Sequence, residues 1–142
     1  MKFEHNWRSK TLENLEKDNW GDPPPDSTRL VQRIMQLRRV PLDQFTTEDL
    51  RITIGQQCSL PYVLALAHEV LSKDLFAEGD FYAGDLLNAV LQVDHTYWSE
   101  HTASWSAFDL LFRNRLAELK EFRPRLAVDH FYQYPGKANM FF

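Results

Sequence analysis

Residues 41–56 read PLDQFTTEDLRITIGQ, and how they are read decides the fold class. Ile52, Thr53 and Ile54 would suit a strand, but the residues before them argue for a helix. Thr46 followed three positions later by Asp49 has capping-box spacing, with Asp as a shorter substitute for the usual Glu. Phe45 and Leu50 stand where a hydrophobic staple would close, and Glu48 and Asp49 favour the positive end of a helix dipole. Gly55 is the expected C′ residue that ends the helix.

The same punctuation recurs on both sides. Ser59 is a candidate cap for a second helix with Pro61 in its first turn, where a missing N–H costs nothing. Val63, Leu66, Ala67, Val70 and Leu71 then give it one apolar face. Upstream, Ser27 or Thr28 opens a helix carrying Leu30, Ile34 and Leu37, and Pro41 stops it. A shorter piece over 11–19 holds Leu12 and Leu15 between Trp7 and Trp20, and Asp22-Pro-Pro-Pro-Asp26 is a stiff connection too short to separate domains. Downstream, Asp85 is a candidate cap for Leu86, Leu87, Val90 and Leu91. The longest helix is expected over 104–122, with Trp105, Phe108, Leu111, Phe112, Leu116 and Leu119 at three- and four-residue steps. The aromatic tail HFYQYPGKANMFF (130–142) is expected to pack on the bundle. The expectation is therefore all-α: one domain over 1–142, with six or seven short helices around one core.

Composition agrees with a packed core, since 44% of the 142 residues are hydrophobic and 13% aromatic. A single cysteine, Cys58, excludes an intramolecular disulfide framework and suits a reducing compartment. The opening MKFEHNWRSK lacks the apolar h-region of a secretory signal, and LPYVLALA (60–67) is far too short to span a bilayer. A cytoplasmic protein is expected. The net charge of −4 is unevenly laid out: residues 41–110 carry Arg51 and Lys73 against eleven acids, a local −9. Such a segment repels nucleic acid and anionic lipid and attracts a basic partner, although a merely solvating surface would look the same.

Signals for catalysis are weak. His68-Glu69 lacks the second histidine of a zinc-protease helix, and His95 and His101, six apart, fall on different helical faces. Cys58 has no nucleophile signature, no serine sits in a Gly-x-Ser-x-Gly elbow, and no phosphate-cradling glycine loop occurs. No cofactor or metal is expected. The stretch AEGDFYAGDLL (77–87) holds two Gly-Asp pairs around Phe81-Tyr82, yet its acids do not match calcium-loop spacing. A plain structural reading accounts for it. Gly79 ends a turn, and Asp80 and Asp85 cap the backbone on their C-terminal side. Gly84 takes a backbone angle other residues resist, Phe81 turns inward and Tyr82 keeps its hydroxyl wet.

Taken together, PL-x-x-F-T-x-E-D-L-R-I-x-I-G-Q (41–56) and E-G-D-F-Y-x-G-D-L-L-x-A-V-L (78–91) resemble the immunity proteins of bacterial contact-dependent growth inhibition (CDI) systems. The opening W-x-x-x-x-L-x-x-L-E (7–16) and Trp20-Gly21 extend the resemblance over most of the chain. Its chief departure is Ala83, where proline is expected, which bears on the rigidity of that loop. The resemblance implies a non-enzymatic antidote that binds, stoichiometrically and in the cytoplasm, the toxic C-terminal domain of a large exoprotein. Such toxins are often nucleases, several of them ribonucleases. No catalytic residue is carried over.

A ribonuclease must present a basic groove, which an acidic surface would fill and be steered towards. The candidate toxin-binding residues are Glu78, Asp80, Asp85, Asp94 and Glu100, with Tyr82, Tyr97 and Trp98 as aromatic anchors. Core packing competes with the anchor role for each aromatic, above all Trp98, and Asp85 is a cap before it is a contact. The alternatives are a small hydrolase using converging carboxylates or His95 and His101, which needs a concave pocket, and a general helical adaptor. Neither nucleic acid nor a membrane is an expected partner.

Overall fold

Four side-chain caps set where helices begin. Thr11 accepts from the N–H of Asn14, Thr28 from Val31, Thr46 from Asp49, and Asp94 from Thr96. In the computed structural model, which describes residues 3–122 and 126–134, the order is a 3-10 turn at Trp7–Ser9, then α1 (Leu12–Glu16) and α2 (Arg29–Leu37). A second turn, Leu42–Gln44, leads to α3 (Thr47–Gly55) and α4 (Leu60–Lys73). After these come α5 (Asp85–Leu91), α6 (His95–Glu100), α7 (Thr102–Asn114), α8 (Leu116–Phe122) and α9 (Val128–Gln133). Among the described residues there is no strand, so the protein is all-α, with more and shorter helices than the six or seven expected.

α3 forms as its sequence predicts. Thr46 and Asp49 exchange both capping-box bonds, at 3.1 and 3.0 Å, and Asp49 also accepts from Arg33 at 2.9 Å. Its end differs from expectation. Gly55 stays helical, and the left-handed residue is Gln57 (φ 57°), with Gln57 N–H bonded to Ile54 O and Cys58 N–H to Thr53 O. That is a Schellman closure built two residues later than the glycine, on a side chain that tolerates the strain less well. Ser59 does occupy the N-cap of α4, yet its hydroxyl bonds Glu16 instead of the helix. Leu30, expected on the buried face of α2, is 38% exposed, whereas Ile34 and Leu37 are buried.

α5 lies at the centre, against α3, α4 and α9. Seven residues are too few for a stable isolated helix. Leu86, Leu87, Val90 and Leu91 are all fully buried, and each such side chain contributes roughly 1.5–3 kcal/mol relative to exposure. The C-terminal half closes over an aromatic cluster in which Trp98, Phe108, Phe112 and Phe131 meet, mostly edge to face, at 5.1–6.1 Å. The single long helix expected over 104–122 is two. Arg115 leaves helical geometry (φ −122°, ψ 28°) and its guanidinium donates to Ser72 O at 2.7 Å, tying the bend to the end of α4. Apolar periodicity continues across such a bend, so it carries no sign of it. Of the aromatic tail, Phe131 and Tyr132 are buried in the core; its remainder beyond residue 134 lies outside the described residues.

Candidate functional site

The connection from α4 to α5 is held by carboxylates. Glu78 and Ala83 form an isolated antiparallel bridge that closes the loop, and Gly84, at φ +90°, turns the chain into α5 while its N–H bonds Phe76 O at 3.0 Å. Asp85 is the first residue of α5 and is 3% exposed. Its carboxylate faces backwards, accepting from the N–H groups of Gly79 at 2.6 Å, Phe81 at 3.1 Å and Tyr82 at 3.4 Å. Glu48 on α3 accepts from the N–H of Asp80 at 2.9 Å. Four successive N–H groups, 79 to 82, thus end on two carboxylates. Charge-assisted bonds of this kind are about twice as strong as neutral ones.

Arg51 completes the unit. It donates to both oxygens of Glu48 at 2.6 Å, its Nε lies 3.8 Å from Asp85 Oδ2, and its Cζ stands 4.5 Å from the centre of the Phe81 ring. The bond from Arg51, aided by the Asp80 N–H, holds the Glu48 carboxyl below the usual carboxylate range. A Cβ at Gly79 would lie 2.6 Å from Glu48 Oε1 and 3.0 Å from Asp85 Oδ2, so a side chain there would displace the carboxylates that hold the loop. The two segments that stand apart in sequence, 41–56 and 78–91, are one object in space.

Phe81, expected to turn inward, is 71% exposed. Its backbone N–H is claimed by Asp85 and its inner face by Arg51, which leaves the other face of the ring in water. Tyr82 is exposed beside it, its hydroxyl accepting from Asn88 at 3.0 Å. Both rings border a shallow cleft of about 210 Å³ with Arg51, Gln57, Asn88 and Gln92. Gln57 accepts from the N–H of Asp94 at 3.2 Å, which ties Asp94 to a residue of this cleft.

The remaining candidate residues divide. Glu78, Asp80, Asp94 and Glu100 are exposed, and, like Asp43 and Asp74, they enter no salt bridge among the described residues. The other five acids of segment 41–110 are committed: Glu48 and Asp85 to Arg51, Asp49 to Arg33, Glu69 to Arg8 and Asp109 to Arg113. Asp85 is therefore a buried organiser of the loop before it, not a surface contact and not a cap for the helix after it. Trp98 is fully buried against Phe108 and Phe131 and presents nothing to a partner. Tyr97 is half-buried, stacked on His101 at 4.0 Å, and burial pushes its hydroxyl up to about 12. Tyr97 and Glu100 line a separate groove of about 540 Å³ between α4 and α7. Sequence reasoning misses Phe81, Glu48 and Arg51; the only hint of them is their place inside the two motifs.

His95 and His101 are not brought together. His95 stacks on His130 at 4.3 Å and its Nε2 lies 2.6 Å from the His130 carbonyl, whereas His101 bonds the Tyr97 carbonyl. Burial pushes the Cys58 thiol up, the wrong direction for a nucleophile. Among the described residues no group of three or more His, Cys, Asp or Glu is arranged to hold a metal ion, and no helix is long and apolar enough to cross a membrane.

No curated protein and no solved structure matches the chain. The family model for CDI immunity proteins matches residues 14–107, a span that takes in the carboxylate-held loop, Glu48 and Arg51 on α3, and all of α5. That match covers well over half of the sequence and contains both motif segments that fold against each other: the chain belongs to the family of CDI immunity proteins.

Proposed function

We propose that this protein is the antidote to one CDI toxin, which it binds stoichiometrically and does not turn over. The toxin is a basic nuclease, a ribonuclease in the first instance, met in the cytoplasm. The observation that carries this reading is the division of the acids in segment 41–110. Five are paired with arginines of the same chain. Asp43, Asp74, Glu78, Asp80, Asp94 and Glu100 stand exposed, in no salt bridge among the described residues. Uncompensated surface charge of one sign accelerates encounter with the opposite sign and occupies the positions at which a nuclease would hold phosphates.

Two measurements test it. Co-expression with the C-terminal domain of the exoprotein encoded immediately upstream rescues growth, and co-expression with unrelated toxins does not. In stopped-flow mixing with that domain, raising salt from about 50 to about 500 mM slows association, on the order of tenfold or more for steered pairs. Reversing Asp80 and Glu100 together slows it further. Association indifferent to salt and to both reversals would remove the electrostatic mechanism.

A further inference from the structure

We infer that Phe81 is the anchor by which this protein holds its partner. The occupant of the Phe81 surface is an apolar pocket on a basic protein, rimmed by lysine or arginine side chains. The inference rests on the toxin-binding reading and specifies the partner's surface at that site.

Exposure is the first ground. A phenylalanine 71% exposed leaves a large apolar face in water, on a loop whose backbone is held by its own bonds. Those bonds are the second ground. The N–H groups of 79, 80, 81 and 82 all end on Asp85 or Glu48, Gly84 is fixed at φ +90°, and Gly79 has no room for a side chain. The ring is held out in a preformed position, which lowers the ordering cost of association. Charge is the third. Glu78 and Asp80, either side of Gly79, are exposed and in no salt bridge among the described residues, while the cation beside the ring, Arg51, is already paired with Glu48. The surface therefore offers an apolar centre with a negative rim, the arrangement of a binding hot spot and its surroundings. Its complement is apolar at the centre and positive at the edge.

Arg51 is a positioning residue. Its guanidinium covers the inner face of the Phe81 ring and ties Glu48 to the loop, so it acts on the partner through Phe81.

The test uses the full-length protein and the C-terminal domain of the exoprotein encoded upstream, with association and dissociation followed separately. Phe81→Ala raises the dissociation rate about 30-fold, the size of a hot-spot truncation, leaves the association rate within about twofold, and leaves thermal unfolding unchanged. Phe81→Tyr restores slow dissociation. Arg51→Ala also speeds dissociation, but adds little in the Phe81→Ala background, the non-additivity expected of one residue acting through another. Glu78→Lys with Asp80→Lys slows association instead. If Phe81→Ala dissociates like the parent while the charge reversals still impair association, the anchor is overturned and the antidote reading stands. If neither set changes any rate, both the anchor and the acidic surface as the binding site are overturned.

Discussion

Phe81-Tyr82 and Tyr97-Trp98 are two adjacent aromatic pairs, each with an acid no more than three residues further on. The fold treats them oppositely. Phe81 is 71% exposed and Trp98 fully buried. The first pair sits in a loop whose direction is dictated by polar bonds to Asp85 and Glu48. The second sits on α6, where helical geometry swings Trp98 onto Phe108 and Phe131 and leaves Tyr97 half-buried over His101. Aromatic identity sets how much apolar area is available; backbone hydrogen bonding sets which way it faces.

The contrast breaks most visibly at Trp98. Trp98→Ala should cost about 3–5 kcal/mol of stability, the range for truncating a core aromatic, read as a lower urea midpoint. Phe81→Ala should stay within about 0.5 kcal/mol of the parent by the same measurement, as surface changes do. Comparable losses at both positions would mean the Phe81 ring is packed away in solution.

A smaller effect is expected at Asp85. Removing its carboxylate leaves three loop N–H groups and one side of Arg51 without their partner. Asp85→Ala should therefore cost roughly 2–3 kcal/mol. Amide exchange at 79, 81 and 82 should rise well before global unfolding; protection there unchanged would show that the loop is held by something else.

Acid sharpens the contrast further. The Glu48 carboxyl is held below its unfolded value of 4.5, so its contribution is complete above that value and is lost as pH falls through the depressed native one. Stability and loop protection should therefore decline together below about pH 4.5, and Glu48→Gln should flatten that part of the pH profile. The aromatic half responds to base instead. With Tyr97 raised to about 12, the neutral phenol is favoured in the fold, so its contribution persists below 10 and is lost between 10 and 12. Ultraviolet titration should show a tyrosine ionising near 12 that Tyr97→Phe removes, with Tyr132, raised further by burial and its bond to Asp109, still later.

Much of the architecture was legible in local chemistry. The capping box at Thr46 and Asp49 forms as the spacing predicts, Thr28 caps α2, and Gly84 takes its left-handed angle. Each is decided within a few residues. Errors gathered where a choice depended on distant groups. Gln57 rather than Gly55 closes α3, with its side chain engaged by the N–H of Asp94; Arg115 breaks a continuous periodicity by reaching Ser72; and Asp85 turns away from its own helix to a place beside Arg51 of α3.

Sequence alone determined the helical class, the acidic middle of the chain and the two motifs that mark its family, because capping, periodicity and charge are properties of neighbours. Only the tertiary structure decided which acids remain solvated and which aromatics remain in water. Asp80 and Asp85 are the same residue type five positions apart, one exposed and one 3% exposed under Arg51. What separates them is Arg51 and Glu48, brought from another helix: Glu48 accepts the Asp80 N–H and Arg51 stands beside the Asp85 carboxylate, a pairing that no local rule contains.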